Sequence, residues 1–204
     1  MKSGKKLKSI SLALLLMAAT ASFAQEMSMK KDKKMMKEKM MNRDTKMVGG
    51  AAMYPTKDII SNAVNSKDHT TLVAAVKAAG LVETLKGKGP FTVFAPTNEA
   101  FDKLPEGTVN TLLMPENKMK LQSVLTYHVL AGTYDAKAIV KAIKKGKGKA
   151  EFTTVNGAKL TAMLAGTIIK LKDASGNIST ITIPDVNQSN GVIHVVDTVV
   201  LPGM

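Results

Sequence analysis

The spacing of apolar residues changes once along this chain, near residue 146. Before that point they recur at three- and four-residue steps, the period of helices that bury one face. In PTKDIISNAVNS, Ile59, Ile60, Ala63 and Val64 form such a face behind Thr56, which predicts a short helix capped by that threonine. TTLVAAVKAAG repeats Leu72, Val73, Val76 and Ala79 at helical spacing, and Gly80 suits the position just past the helix end. LVETLKGKG is a third short helix stopped by glycines, and FTVFA is a buried strand. NEAFDKL and EGTVNTLL read as short helices on either side of Pro105. PENKMKLQSVLTY is a longer helix with Pro115 in its first turn and Leu121, Val124 and Leu125 inward. HVLAG is extended, and DAKAIVKAIKKG is a helix capped by Asp135 and ended by Gly146.

After Gly146 the period is two. AEFTTV and AKLTAMLA flank Asn156-Gly157, a hairpin turn pair. TIIKLKD and ISTITI form a second hairpin around ASGN, which Pro184 ends. GVIHVVDTVVL reads as a final buried strand pair or one long strand. Helices first, one early strand, then a run of strands is the order of an α+β fold with a mainly antiparallel sheet. It predicts one domain over residues 54–203.

The N-terminal quarter is different. MKSGKKLKS carries four lysines, ISLALLLMAA is too short an apolar run to span a bilayer, and Ser22 and Ala24 are small residues at a cleavage position. Residues 1–24 are therefore expected to be a secretory signal peptide and the product to be exported, periplasmic or extracellular. The simple leader and the lack of cysteine point to a bacterial protein. No other apolar run is long enough for a transmembrane segment. Residues 25–53 are almost all Lys, Met and acid, and hold eight of the 14 methionines. They read as a flexible spacer, as an amphipathic helix through Met36, Met40 and Met47, or as a soft-metal tail, since thioethers favour Cu(I).

The net charge of +13 suggests nucleic acid until it is divided. Residues 1–47 carry 12 basic and 4 acidic groups, so most of the excess lies outside the predicted fold. Lys141, Lys144, Lys145, Lys147 and Lys149 form either a polyanion-binding loop or the solvated end of a helix, whose dipole favours cations. No aromatic residue interleaves them, which argues against nucleic acid. The three histidines, His69, His128 and His194, have no metal-ligand spacing, and there is no cysteine and no GxSxG. His194 reads as a half-buried structural histidine, with Asp197 on the opposite strand face. No catalytic residue, metal site or cofactor is expected. Thr97 or Asn98 suits an N-cap for EAFDKL, and Phe101 turns inward.

TVFAPTNEAFDKLP (residues 92–105) and SNGVIHVVDTVVLP (residues 189–202) resemble the two signatures of the fasciclin domain family. LTYHVLAG between them resembles its tyrosine–histidine segment, and GLVETLKGKG its upstream flank. The resemblance implies a β-sheet wedge packed on a bundle of short helices, with no catalysis and no cofactor. It gives Thr97, Asn98, Phe101, Asn190, Gly191, His194 and Asp197 the place of structural signature residues. It also implies adhesion, through an extracellular protein or polysaccharide ligand of a matrix or envelope. In the family's animal matrix members the tyrosine–histidine segment is linked to partner binding, which points here to Tyr127 and His128 with Leu125, Val129 and Leu130. The same residues are alternatively structural, with His128 joining neighbouring segments. Two functions follow: a binding module, displayed with weak self-association for avidity, or a stress or metal-handling protein that works through the Met-rich tail.

Overall fold

The computed structural model describes residues 27–33, 35–36 and 44–203. The expected leader, residues 1–24, and Met40 and Met41 lie outside the described residues. The chain divides into two compact units, residues 1–43 and 44–204. In the first, residues 27–33 and 35–36 are helical with exposed side chains, Met27, Met29, Met35 and Met36 among them.

The second unit is built on a seven-stranded sheet of order β4-β3-β9-β8-β7-β6-β5. Its centre is β3 (Phe91–Pro96) beside β9 (Gly191–Val196), paired in parallel from Phe91↔Gly191 to Pro96↔Val196. Apart from Thr92 and His194 both are apolar, because both faces are covered, as in any strand buried on two sides. Alternation then sends Val93, Ala95, Ile193 and Val195 into one core and Phe94 and Val196 into another. β4 (Val129–Ala131) flanks β3 in antiparallel, and β8 (Ile178–Gln188) flanks β9. β7 (Ile168–Lys172), β6 (Lys159–Ala165) and β5 (Lys149–Thr153) complete an antiparallel meander.

Six helices supply the first core: α1 (Ile59–Ala63), α2 (Thr70–Ala79), α3 (Val82–Lys86), α4 (Asn98–Asp102), α5 (Thr108–Leu113) and α6 (Lys118–Tyr127). The second core lies under α7 (Ala136–Lys145), which sets Ile139 and Ile143 against β5 and β6. Asp135 caps α7 as its spacing predicts, accepting from the Ala138 amide at 2.6 Å. The fold is thus the predicted α+β, with a mostly antiparallel sheet.

Four local expectations are corrected. The cap of α1 is Asp58, which accepts from the Ser61 amide, not Thr56, and Val64 is exposed. Pro115 opens a 3-10 turn, Pro115–Asn117, and the α-helix proper begins at Lys118. Pro184 does not end its strand: β8 runs on to Gln188 through an irregular stretch between Ile181 and Val186. A bulge tolerates proline because the missing N–H has no ladder partner there. The last strand is single and stops at Val196, after which Val199 and Val200 are buried without strand pairing.

The largest departure lies before residue 54. Residues 46–53, expected within a flexible spacer, form a hairpin of β1 (Lys46–Val48) and β2 (Ala51–Met53). Gly49 and Gly50 turn it, both with positive φ (57° and 74°), the requirement of a two-residue type I′ turn. The hairpin docks through Val48 and Met53, 3% and 2% exposed, into the first core. The Lys67 amide donates to the Gly49 carbonyl at 3.0 Å, and Lys46 Nζ donates to the Pro184 carbonyl. Compact structure therefore starts at Asp44. Met53→Ala should cost about 2–5 kcal/mol in urea unfolding, the range for a buried methionine; a spacer residue would cost nothing measurable.

Candidate functional site

Most polar residues of the two signature segments hold the fold, while Glu99 and Asp102 are exposed. Thr97 caps α4, accepting from the Ala100 amide at 3.3 Å. Asn98 caps a different helix: its Oδ1 accepts from the Thr71 amide (3.0 Å) at the start of α2, and its Nδ2 donates to the Lys67 carbonyl (2.8 Å). The residue that precedes α2, His69, makes no capping bond of its own. Phe101 is buried in the first core. Asn190 ties two helices to the β8–β9 turn. Its Oδ1 accepts from the Ile59 amide (3.1 Å), and its Nδ2 donates to the carbonyls of Leu85 (2.8 Å) and Gly87 (3.1 Å). Gly191 has an ordinary φ, but a Cβ there would fall 2.0 Å from the Phe91 carbonyl oxygen of the neighbouring strand.

His194 is completely buried, not half-buried, and its ring stacks on Phe94 at 5.7 Å between centroids. Its Nδ1 accepts from the Asp185 amide (3.2 Å), so Nε2 carries the proton that is donated to the Tyr134 carbonyl (2.8 Å). Burial holds its pKa below the ordinary value and keeps the ring neutral. Asp197 faces elsewhere, accepting from the Thr180 amide (2.7 Å) with Lys103 Nζ 3.8 Å away. Asp185 takes a positive φ of 55° at the irregular part of β8, and its carboxylate accepts from the Ala136 amide (2.7 Å) at the start of α7. No reading of the sequence singled out Asp185; its only signal was the neighbouring proline.

The tyrosine–histidine segment offers no surface. Tyr127 is 0% and His128 3% exposed, and Leu125, Val129 and Leu130 are buried with them. Tyr127 Oη donates to the Lys159 carbonyl (2.7 Å) and accepts from the Ala174 amide (3.0 Å). His128 Nε2 accepts from the Val200 amide (3.1 Å), so Nδ1 is the donor to the Val124 carbonyl (2.8 Å). The pair thereby fastens the end of α6 to β6, to the β7–β8 turn and to the C-terminal segment. These five residues act inside the fold, and the partner-facing role implied by family resemblance is corrected. Burial pushes the His128 pKa down to about 4.

Chemistry available to a partner lies instead on one end of the sheet. Residues 136–172 contain nine lysines and a single acid, Glu151, whereas the rest of the unit from residue 44 on has 9 basic and 12 acidic groups. Net charge is thus +8 at one end and −3 over the remainder. Lys137, Lys141, Lys144 and Lys145 are exposed on α7, opposite Ile139 and Ile143. Lys149, Lys159, Lys170 and Lys172 share the outer sheet face, opposite Leu160 and Leu171, and one row runs Lys149↔Met163↔Lys170↔Thr180. Lys147 lies in the turn between the two sets. Among the described residues the ion pairs lie elsewhere, at Lys86–Glu83 and Lys103–Asp197. The one aromatic residue of residues 136–172, Phe152, is buried edge-on against Tyr134, so nothing there can stack on a base. The lysine run 141–149 was visible in the sequence. That Lys170 and Lys172 join it was not, although their alternation with Ile169 and Leu171 held the signal.

Comparison with known proteins gives consistent results. The family model described as Fasciclin domain matches residues 67–202. Protein sll1483 of Synechocystis sp. is 46% identical over 160 residues, 78% of this chain and 81% of the relative. Cell surface glycolipoprotein MPB83 of Mycobacterium bovis is 33% identical over 160 residues, 76% of this chain and 64% of its own. In structure, the chain resembles a FAS1 domain pair from the insect cell adhesion molecule fasciclin I, with a TM-score of 0.64 at 18% identity, over 71% of this chain and 51% of that one.

The buried histidines set a pH dependence. The folded-state pKa of His128 lies below the ordinary 6.5, so the unfolded chain takes up a proton that the folded one refuses. Stability should be complete above about pH 6.5 and fall by on the order of 3 kcal/mol as the pH drops towards 4. Urea midpoints at pH 7, 5.5 and 4.5 should fall in that order, and His128→Asn should flatten the slope.

Proposed function

The chain belongs to the fasciclin domain family, and from that premise we propose that it is a non-enzymatic binding module which, once exported, holds an acidic polysaccharide of a matrix or cell surface through its lysine-rich end. The observation that carries this reading is the separation of charge, +8 within residues 136–172 against −3 over the rest of the unit. Lysines on flexible stems suit a repeating polyanion. Each contact is weak and no single geometry is demanded, so affinity comes from the summed field and falls with salt. The strands hold the row of Lys149 and Lys170 on a rigid base, two strand spacings or about 10 Å apart. The exposed isoleucines of the outer face, Ile168 and Ile178, sit at opposite ends of the β7–β8 pair and make no contiguous patch, which favours a hydrated polymer over insertion into lipid.

One domain with such a surface binds weakly unless several copies act together. The similar insect structure is of a FAS1 domain pair from a cell adhesion molecule. For this chain, weak self-association or display at a surface would supply the same avidity. β5 is an edge strand, and Lys149 on it resists strand-to-strand pairing with another copy, so self-association would use another face.

The expected behaviour is retention on immobilised alginate or heparin but not on dextran, with release on raising salt. The triple variant Lys141→Glu/Lys144→Glu/Lys145→Glu should weaken this by about tenfold or more, equivalent to ~1.4 kcal/mol. Lys77→Glu/Lys118→Glu, on the helical side, should not. Deleting residues 25–43 distinguishes the alternative. If that deletion alone abolishes binding, or if the isolated segment binds Cu(I) tightly through Met27, Met29, Met35 and Met36, the tail is the working part.

A further inference from the structure

The first core is incompletely filled. A cavity of about 80 Å³ lies between the helices and the central strands, lined by Ile60, Leu72, Val76 and Ile193 and walled on one side by Val48 and Met53 of the hairpin. Protein interiors seldom leave voids larger than one water, and an apolar void of this kind stays dry and accepts apolar molecules. Of its few polar lining residues, two are histidines. Both ring nitrogens of His128 are satisfied. Those of His69 are not: Nδ1 lies 2.9 Å from Ser66 Oγ, while Nε2 is buried with no hydrogen-bond partner. His69 is 3% exposed, and burial keeps its ring neutral; the Ala95 carbonyl favours its charged form, yet without hydrogen-bond geometry to Nε2.

We propose that this cavity is a ligand site for a slender aliphatic chain bearing one neutral hydrogen-bonding group, such as a hydroxyl or carbonyl, which pairs with His69 Nε2. Three observations converge on that class. The volume is about half that of the ~150 Å³ apolar cavity that holds benzene, so it encloses only part of a slender chain, the remainder leading out past Lys77 and Thr84. The walls are mostly apolar, so a charged head would be stranded inside. An unpaired buried polar atom is costly to leave, and a ligand that pairs with it recovers that cost. The Ser66 hydroxyl lets His69 adapt. If Ser66 donates to Nδ1, then Nε2 carries the proton and takes a carbonyl; if Nδ1 donates to Ser66, then Nε2 accepts from a hydroxyl.

The hairpin makes the site. A Cβ on Gly49 would lie 2.3 Å from Ser66 Oγ, so the turn sits directly on the Ser66–His69 pair. Val48, Met53, Ile59 and Ile60 all precede residue 67, where the fasciclin match begins. The exposed lining residues Lys77 and Thr84 show where the lining reaches the surface. The site is independent of the lysine-rich end and stands or falls apart from it.

The test uses the full chain labelled at its methyl groups and histidine rings, titrated with hexan-1-ol and with hexane. Saturable shifts are expected at the methyls of Leu72 and Val76 with both probes, a shift of the His69 Nε2 resonance with hexan-1-ol only, and at least tenfold tighter binding of the alcohol. His69→Leu should abolish the preference while hexane still binds, and Leu72→Phe, which fills the space, should abolish both. Absence of saturable shifts overturns the site. Equal affinity for the two probes, or a preference that survives His69→Leu, overturns the role of His69.

Discussion

Everything in this unit is arranged around the parallel pairing of β3 with β9. Two strands nearly a hundred residues apart lie side by side at the centre of the sheet, with both faces covered. That single contact explains why the two signature segments of the sequence belong together: each is a central strand plus the residues that hold its end. It also explains Gly191, where the neighbouring carbonyl leaves no room for a Cβ. Because the pair is covered on both sides, the unit needs two cores. The helices α1–α6 serve one, while α7 and the meander β5–β8 serve the other.

The division has a functional consequence. Closing two cores around a central pair uses up the polar residues nearest to it. Asn98 and Asn190 satisfy helix ends, His194 and His128 bridge segments that do not adjoin in sequence, and Tyr127 joins α6 to β6 and the β7–β8 turn. Side chains that looked like chemistry are connectors, held neutral where they titrate. What remains for a partner is at the margins: a lysine-rich end outside the second core, and an imperfectly filled space within the first. In the helical layer, α1, α3 and α4 have five residues each and present little more than one turn to the core. Short helices of that kind close a space less completely than long ones with repeated ridges.

The elements with a strong period were legible. α2, α6 and α7 present apolar faces that repeat over several turns, and Asp135 and Gly80 mark their ends where cap chemistry predicts. The meander announced itself by alternation and by Asn156-Gly157. Weakly periodic segments were not legible. Each strand of the hairpin at residues 46–53 gives the core a single buried residue, and its Lys and Met composition continues that of the chain before it. A short stretch with one core contact per strand carries no period to read. Pro184 misled for a related reason, since a rule about strand interiors does not hold at a bulge, and the bulge is imposed by the partner strand.

The sequence alone therefore determined the class of fold, the order of elements, the family and the concentration of lysines around the end of α7, all of which depend on local periodicity or on motifs contiguous in the chain. Tertiary structure decided which of those residues face solvent. Tyr127 and His128 went inside because β6 and the C-terminal segment arrive from more than thirty and seventy residues away to accept and donate their hydrogen bonds. Lys170 and Lys172 joined Lys149 because strand register, a relation between distant segments, put them on one face. His69 was left with a free nitrogen beside a cavity because the groups around that cavity come from many separate elements. Local sequence sets what each segment prefers to be, but burial and partnership depend on where the other segments stop.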